Sequence, residues 1–79
     1  MRRKTSSTVY EAPRWAGVAS WLKDEAFLAG LELHIEVEKG WMRERGRFRV
    51  TGRPEDVDDF MDLFDRTGRA YNARLAKKS

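Results

Sequence analysis

Seventy-nine residues with 41% hydrophobic and 11% aromatic side chains suffice for one packed domain, at the small end of what buries an adequate core alone. With no cysteine and a single histidine, the chain excludes a disulfide framework and leaves no ligand set for a structural zinc ion. The formal charge of +3 is modest but segregated: Lys39–Arg53 holds six bases against Glu44 alone, Glu55–Asp65 six acids and no base, and Arg66–Ser79 five bases and no acid. Distinct charged patches are the expected result.

In chain order, Met1-Arg2-Arg3-Lys4 is followed by polar Thr5-Ser6-Ser7, so residues 1–7 read as a basic, polar tail and residues 8–79 as the single domain. No apolar segment follows the bases, so no secretory signal is expected. No apolar run reaches membrane-spanning length, and a cytoplasmic protein without membrane contact is expected. Thr8-Val9-Tyr10 is β-prone and predicts a short strand at the edge of a hairpin, which a lone two-stranded ribbon needs for stability. Pro13 suits a first helical turn, and Trp15, Val18, Ala19, Leu22 and Ala26 form one apolar stripe, predicting a helix over about 13–25. Trp21 and Phe27 fall off that stripe, where they either widen the buried face or meet a partner. Gly30 ends the segment.

Leu31 to Val50 reads as a two-faced β-hairpin. Leu31, Leu33, Ile35 and Val37 alternate with Glu32, His34, Glu36 and Glu38; on the return, Phe48 and Val50 alternate with Arg43, Arg45, Arg47 and Arg49. A two-residue loop at Lys39-Gly40 sets Glu38 opposite Trp41, Glu36 opposite Arg43, His34 opposite Arg45 and Glu32 opposite Arg47. Val37, Leu33 and Leu31 then face Met42, Gly46 and Phe48 on the inner side. Opposite charges across a strand pair contribute about 0.2–1 kcal/mol each, so this register is reinforced by its own side chains. Glu44 objects, because it points inward opposite Ile35. Either Gly46 marks a bulge that turns Glu44 outward, or the loop is longer and spans Lys39–Arg45.

Beyond Thr51-Gly52-Arg53, Pro54 suits the first turn of a second helix, where Glu55, Asp56, Asp58 and Asp59 complement the helix dipole. Val57, Phe60, Met61, Phe64, Tyr71 and Leu75 keep one face apolar. Asp62–Arg66 and Asp65–Arg69 are acid-before-base pairs at four-residue spacing, the favourable order. Gly68 is the weak point, at which the helix breaks, kinks or continues. Lys77-Lys78 suits its C-terminus. The order (β)-α-β-β-α predicts a small two-layer α+β domain, its antiparallel hairpin 31–50 packed against two helices.

Three groups of residues are candidate contacts. Arg43, Arg45, Arg47 and Arg49 share a face with Trp41, and Arg53 follows; such a comb could track phosphates while Trp41 stacks a base. The plainer alternative is a solvated face that Glu32, Glu36 and Glu38 partly neutralise and that deters edge pairing. Trp41 either packs back on a neighbour or stands exposed as an interface anchor. The helical acids Glu55, Asp58, Asp59, Asp62 and Asp65 either dock a basic partner or simply serve the helix dipole and solubility. No catalytic constellation emerges. His34 has no nucleophile beside it, the serines lack a nucleophile-elbow context, and Gly40, Gly46 and Gly52 match neither phosphate-loop nor dinucleotide spacing.

The expectation is a small non-enzymatic protein-binding or regulatory module acting through its charged surfaces, on a protein partner or as a homodimer. Trp41, Arg43, Arg45, Arg47, Arg49, Arg53, Asp58, Asp59 and Asp62 are its expected contact residues. No cofactor, metal or small-molecule substrate is expected. The alternative is a nucleic-acid-binding module that uses the arginine-rich hairpin and Trp41.

Overall fold

A computed structural model describes residues 2–78 of the chain; Met1 and Ser79 lie outside the described residues. The elements run β1 (Lys4–Ala12), α1 (Trp15–Ala29), β2 (Glu32–Lys39), β3 (Glu44–Gly52), α2 (Pro54–Leu63), a π-helical turn (Phe64–Gly68) and α3 (Arg69–Lys78). Among the described residues three strands form one antiparallel sheet in the order β1-β3-β2. The helices pack on one face of it, α1 chiefly against β2 and α2 chiefly against β1. This is the expected two-layer α+β domain.

Period-2 alternation makes β3 the centre of the sheet. Gly46, Phe48 and Val50 are buried, while Arg45, Arg47 and Arg49 face water. The buried face of β3 is flanked by half-buried Thr8 and Tyr10 of β1 and by Leu33 and Ile35 of β2. Phe48, Phe60 and Phe64 meet at its middle, with Phe48 and Phe64 centroids 4.8 Å apart and steeply inclined. Each such fully buried large side chain contributes about 1.5–3 kcal/mol.

β1 is longer than the three residues expected, and it takes in most of the expected tail. Lys4–Ser7 pair with Gly52–Arg49 of β3. Their polar side chains do not oppose this, because every second one faces solvent and the backbone is what pairs with the free side of β3. The Thr5 and Thr51 hydroxyls meet at 2.9 Å, and Lys4 reaches Asp58 of α2 at 2.5 Å. Of the expected tail 1–7, Arg2 and Arg3 precede the strand.

The hairpin register differs from the two-residue-loop expectation. Lys39 faces Glu44, so Gly40–Arg43 form a four-residue loop, and each β2 residue meets a β3 residue four positions further on. Glu38 faces Arg45, Glu36 faces Arg47 and His34 faces Arg49. An even shift keeps every side chain on its face, so acids still oppose arginines and Val37, Ile35 and Leu33 oppose Gly46, Phe48 and Val50. Gly46 marks no bulge, since both ladders run unbroken through it.

Gly46 is instead a seat. A methyl group there would lie 2.1 Å from Cε2 of Trp15, whose indole occupies the space a side chain would need. The indole N–H donates to the Tyr10 carbonyl at 2.9 Å, so Trp15 ties α1 to β1 and β3 together. Trp21, one of the two residues off the α1 stripe, widens the buried face in the same way. Its ring edge nests on Gly68, where a Cβ would come within 2.9 Å, and it lies against Phe60 and Phe64. At Gly68 the helical path continues through the π-helical turn, with helical dihedrals at both Phe64 and Arg69.

α1 starts two residues after Pro13, because Arg14 is still extended, and it ends later than expected. Gly30 adopts φ 71°, and the Leu31 N–H reaches the Ala26 carbonyl at 2.9 Å to close the last turn. Gly46→Ala should lower the unfolding free energy by about 1–3 kcal/mol in urea titrations, since a rigid, wedged indole must move. Gly68→Ala should cost less, because it regains up to about 1 kcal/mol of helix propensity.

Candidate functional site

The arginine row lies along the middle of the outer sheet face. Arg45, Arg47 and Arg49 are flanked by Glu11, Val9 and Ser7 of β1 and by Glu38, Glu36 and His34 of β2. Arg45 Nε turns to Glu11 Oε1 at 3.5 Å, and His34 pairs with Glu36 at 3.1 Å. Three glutamates therefore surround three arginines, and the face has little excess of positive charge. Arg47 and Arg49 form no ion pair among the described residues. The other two arginines leave the row. Arg43 sits in the loop, where Nη2 donates to the Glu11 carbonyl at 3.3 Å. Arg53 precedes α2 and reaches Asp56 at 3.2 Å and Glu55 at 3.4 Å.

The acidic face of α2 is also largely matched from within. Lys4 holds Asp58, Arg66 holds Asp62, and Arg69 holds Asp65 at 3.1 Å while its guanidinium lies 5.0 Å above the Phe64 ring. Asp59 alone of the expected trio Asp58, Asp59 and Asp62 forms no ion pair among the described residues. These exposed pairs contribute little stability each, but they leave the helix less charge with which to attract a partner.

The hairpin tip is different. Gly40-Trp41-Met42-Arg43 is closed by the Gly40 N–H on the Arg43 carbonyl at 2.8 Å, and the Arg43–Glu11 contact fastens it to β1. Trp41 is 96% exposed and Met42 77%. Of the three tryptophans, Trp15 is buried, Trp21 half-buried and Trp41 alone stands in water. A structured loop thus carries a whole indole into water at one end of the sheet. Phe27, the second residue off the α1 stripe, is 84% exposed at the other end, beside β2.

The roles of two residues escaped the sequence reading. Glu44 stays on the inner face and solves its own conflict: Oε1 accepts the Trp15 backbone N–H at 2.6 Å. α1 has no side-chain cap at Arg14 and no acid in its first turn, so a carboxylate delivered from β3 supplies both. The signal was present, because Pro13-Arg14-Trp15 offers none of the usual capping residues. Asn72 is the other. It is 3% exposed, and neither Nδ2 nor Oδ1 finds a partner among the described residues. With Ala12, Arg14, Gly17 and Leu75 it lines a slot of 190 Å³, below the size of common small-molecule sites.

Among the described residues no three His, Asp or Glu side chains are grouped to hold a metal ion, and no helix is long and apolar enough to cross a membrane. Protein-family models, curated proteins and solved structures yield no match to this chain.

Glu44→Ala should cost about 1 kcal/mol in chemical denaturation, the usual value of a lost helix cap, and Glu44→Gln less, because its amide oxygen still accepts. Asn72→Leu should raise the thermal midpoint by about 4–8 °C if replacing the unpartnered carboxamide recovers about 1 kcal/mol.

Proposed function

We propose that this chain is a small non-enzymatic protein-binding module whose anchor is Trp41, presented with Met42 at the tip of the β2–β3 hairpin. The observation that carries this reading is the near-complete exposure of Trp41 on a loop closed by one backbone hydrogen bond and fastened to β1 through Arg43. Burying one large apolar side chain contributes about 1.5–3 kcal/mol, and aromatic residues dominate binding hot spots. A loop already ordered loses little further entropy on binding. Arg43 and Arg45 beside the tip, with Glu38 and Glu11, supply a mixed-charge rim of the kind that surrounds such anchors. A regulator, an inhibitor or a small subunit of a larger assembly would use such a surface, and a second copy of the chain is one partner it could bury against.

Nucleic-acid binding is the second reading, and one observation favours it: Arg47 and Arg49 lie on one face without ion pairs among the described residues. Against it, a polyanion laid along that row would also meet Glu11, Glu36 and Glu38. The two separate in one experiment. Immobilised wild-type chain is compared with Trp41→Ala/Met42→Ala and with Arg45→Gln/Arg47→Gln/Arg49→Gln, using quantified protein capture and anisotropy with labelled DNA and RNA. The tip variant should lose at least about tenfold in affinity for a captured and purified partner while its unfolding free energy stays within about 0.5 kcal/mol of wild type. Protein capture indifferent to the tip, with salt-dependent nucleic-acid binding lost in the arginine variant, would reverse the order of the readings.

A further inference from the structure

We infer that the free edge of β2, with the apolar groove between it and α1, receives an extended peptide segment of a protein partner whose side chains alternate between apolar and basic. This surface runs along the edge of β2 away from β3 and does not depend on Trp41.

Sheet order is the first ground. β2 pairs with β3 on one side only among the described residues, so its other side offers a line of unpaired backbone donors and acceptors. An added strand would satisfy them. The inner row of β2 is the second. Leu33 and Ile35 are only half-buried and Val37 is exposed, whereas their β3 partners Val50, Phe48 and Gly46 are all buried. The helix layer stops short of this margin. A groove of 520 Å³ remains there, walled by Leu33 and Ile35 on one side and by Ala26 and Phe27 on the other. Alternate side chains of an incoming strand would enter it and cover the Phe27 ring. Lys23 stands at its rim and disfavours a basic side chain on that face.

Charge sets the other face of the incoming strand. Glu32, Glu36 and Glu38 line the outer row of β2. Arg45 turns away from Glu38 to Glu11 on β1, so Glu38 forms no ion pair among the described residues and Glu36 pairs only with His34. Glu32 is already held by Arg3 at 2.8 Å, and lysine or arginine directly across Glu36 and Glu38 would complete those two carboxylates. The same row disfavours a second copy. Antiparallel β2–β2 pairing centred on His34, Ile35 or Glu36 sets glutamate opposite glutamate each time, through 32 and 36, 32 and 38, or 36 and 36.

The test uses two capped nine-residue peptides, one alternating lysine with valine and one alternating glutamate with valine, titrated into the ¹⁵N-labelled full chain. The lysine peptide should shift backbone amides of 32–39 and of the C-terminal half of α1, saturably, and bind about tenfold tighter than the glutamate peptide at low salt. Glu36→Lys/Glu38→Lys should invert that preference, and Phe27→Ala should weaken binding about fivefold or more. Trp41→Ala should leave it unchanged, which keeps this result separate from the fate of the hairpin-tip anchor. Absence of saturable shifts, shifts confined to β1 or the tip, a preference that survives the charge reversal, or shifts at β2 from self-association without peptide would each overturn the inference.

Discussion

The seating of Trp15 on Gly46 is the contact on which the rest of the molecule depends. It places a rigid indole where the central strand has no side chain, and it fixes the height and rotation of α1 over the sheet. Three further consequences follow from that placement. The indole N–H reaches β1 at Tyr10, the backbone N–H of the same residue reaches Glu44, and the stripe Val18, Leu22 and Ala26 is aimed at the core. With α1 so fixed, Trp21 meets Gly68 and the aromatic cluster of Phe48, Phe60 and Phe64 closes over it. A glycine in mid-strand normally weakens a sheet, and here its cost is offset by the largest side chain in the core.

Against that frame of fixed contacts, the charged residues divide into those the fold uses and those it leaves. Asp58, Asp62 and Asp65 are engaged by Lys4, Arg66 and Arg69, and Arg53 by Glu55 and Asp56, across α2, its flanks and β1. Arg43 fastens the loop to β1. Prominent among what remains at the surface are an indole and Met42 at one end of the sheet, a phenyl ring beside an acidic strand edge at the other, and two arginines between them. Apolar groups left in water carry more information about binding than charges already matched at home.

Element order, the two faces of the hairpin and the apolar stripes were legible in the sequence because each depends on local periodicity. Loop length was not. Glu36 is as well matched by Arg43 as by Arg47, so cross-strand charge pairing is nearly the same in both registers. The choice rests on α1, whose Trp15 sits on Gly46 of β3 and whose end leads into β2. That constraint is non-local. The same reason hid Lys4–Ser7, whose polar side chains look like a tail until the open side of β3 is known. Glu44 was legible as a conflict but not as a cap, since its partner is a backbone N–H on another element. At the candidate surfaces, Trp41 was singled out from its place near the turn, whereas its exposure depended on whether any neighbour reached it.

The most direct measurement follows the three indole N–H resonances of the ¹⁵N-labelled chain, free and with a captured, purified partner. In the free chain at high dilution, the Trp15 signal should be protected from solvent exchange by the Tyr10 carbonyl and the Trp41 signal should exchange freely. On complex formation Trp41 should shift and gain protection while Trp15 keeps its environment. A Trp41 signal already protected in the free chain, or one unmoved in the complex, would contradict the assignment of Trp41 as the anchor.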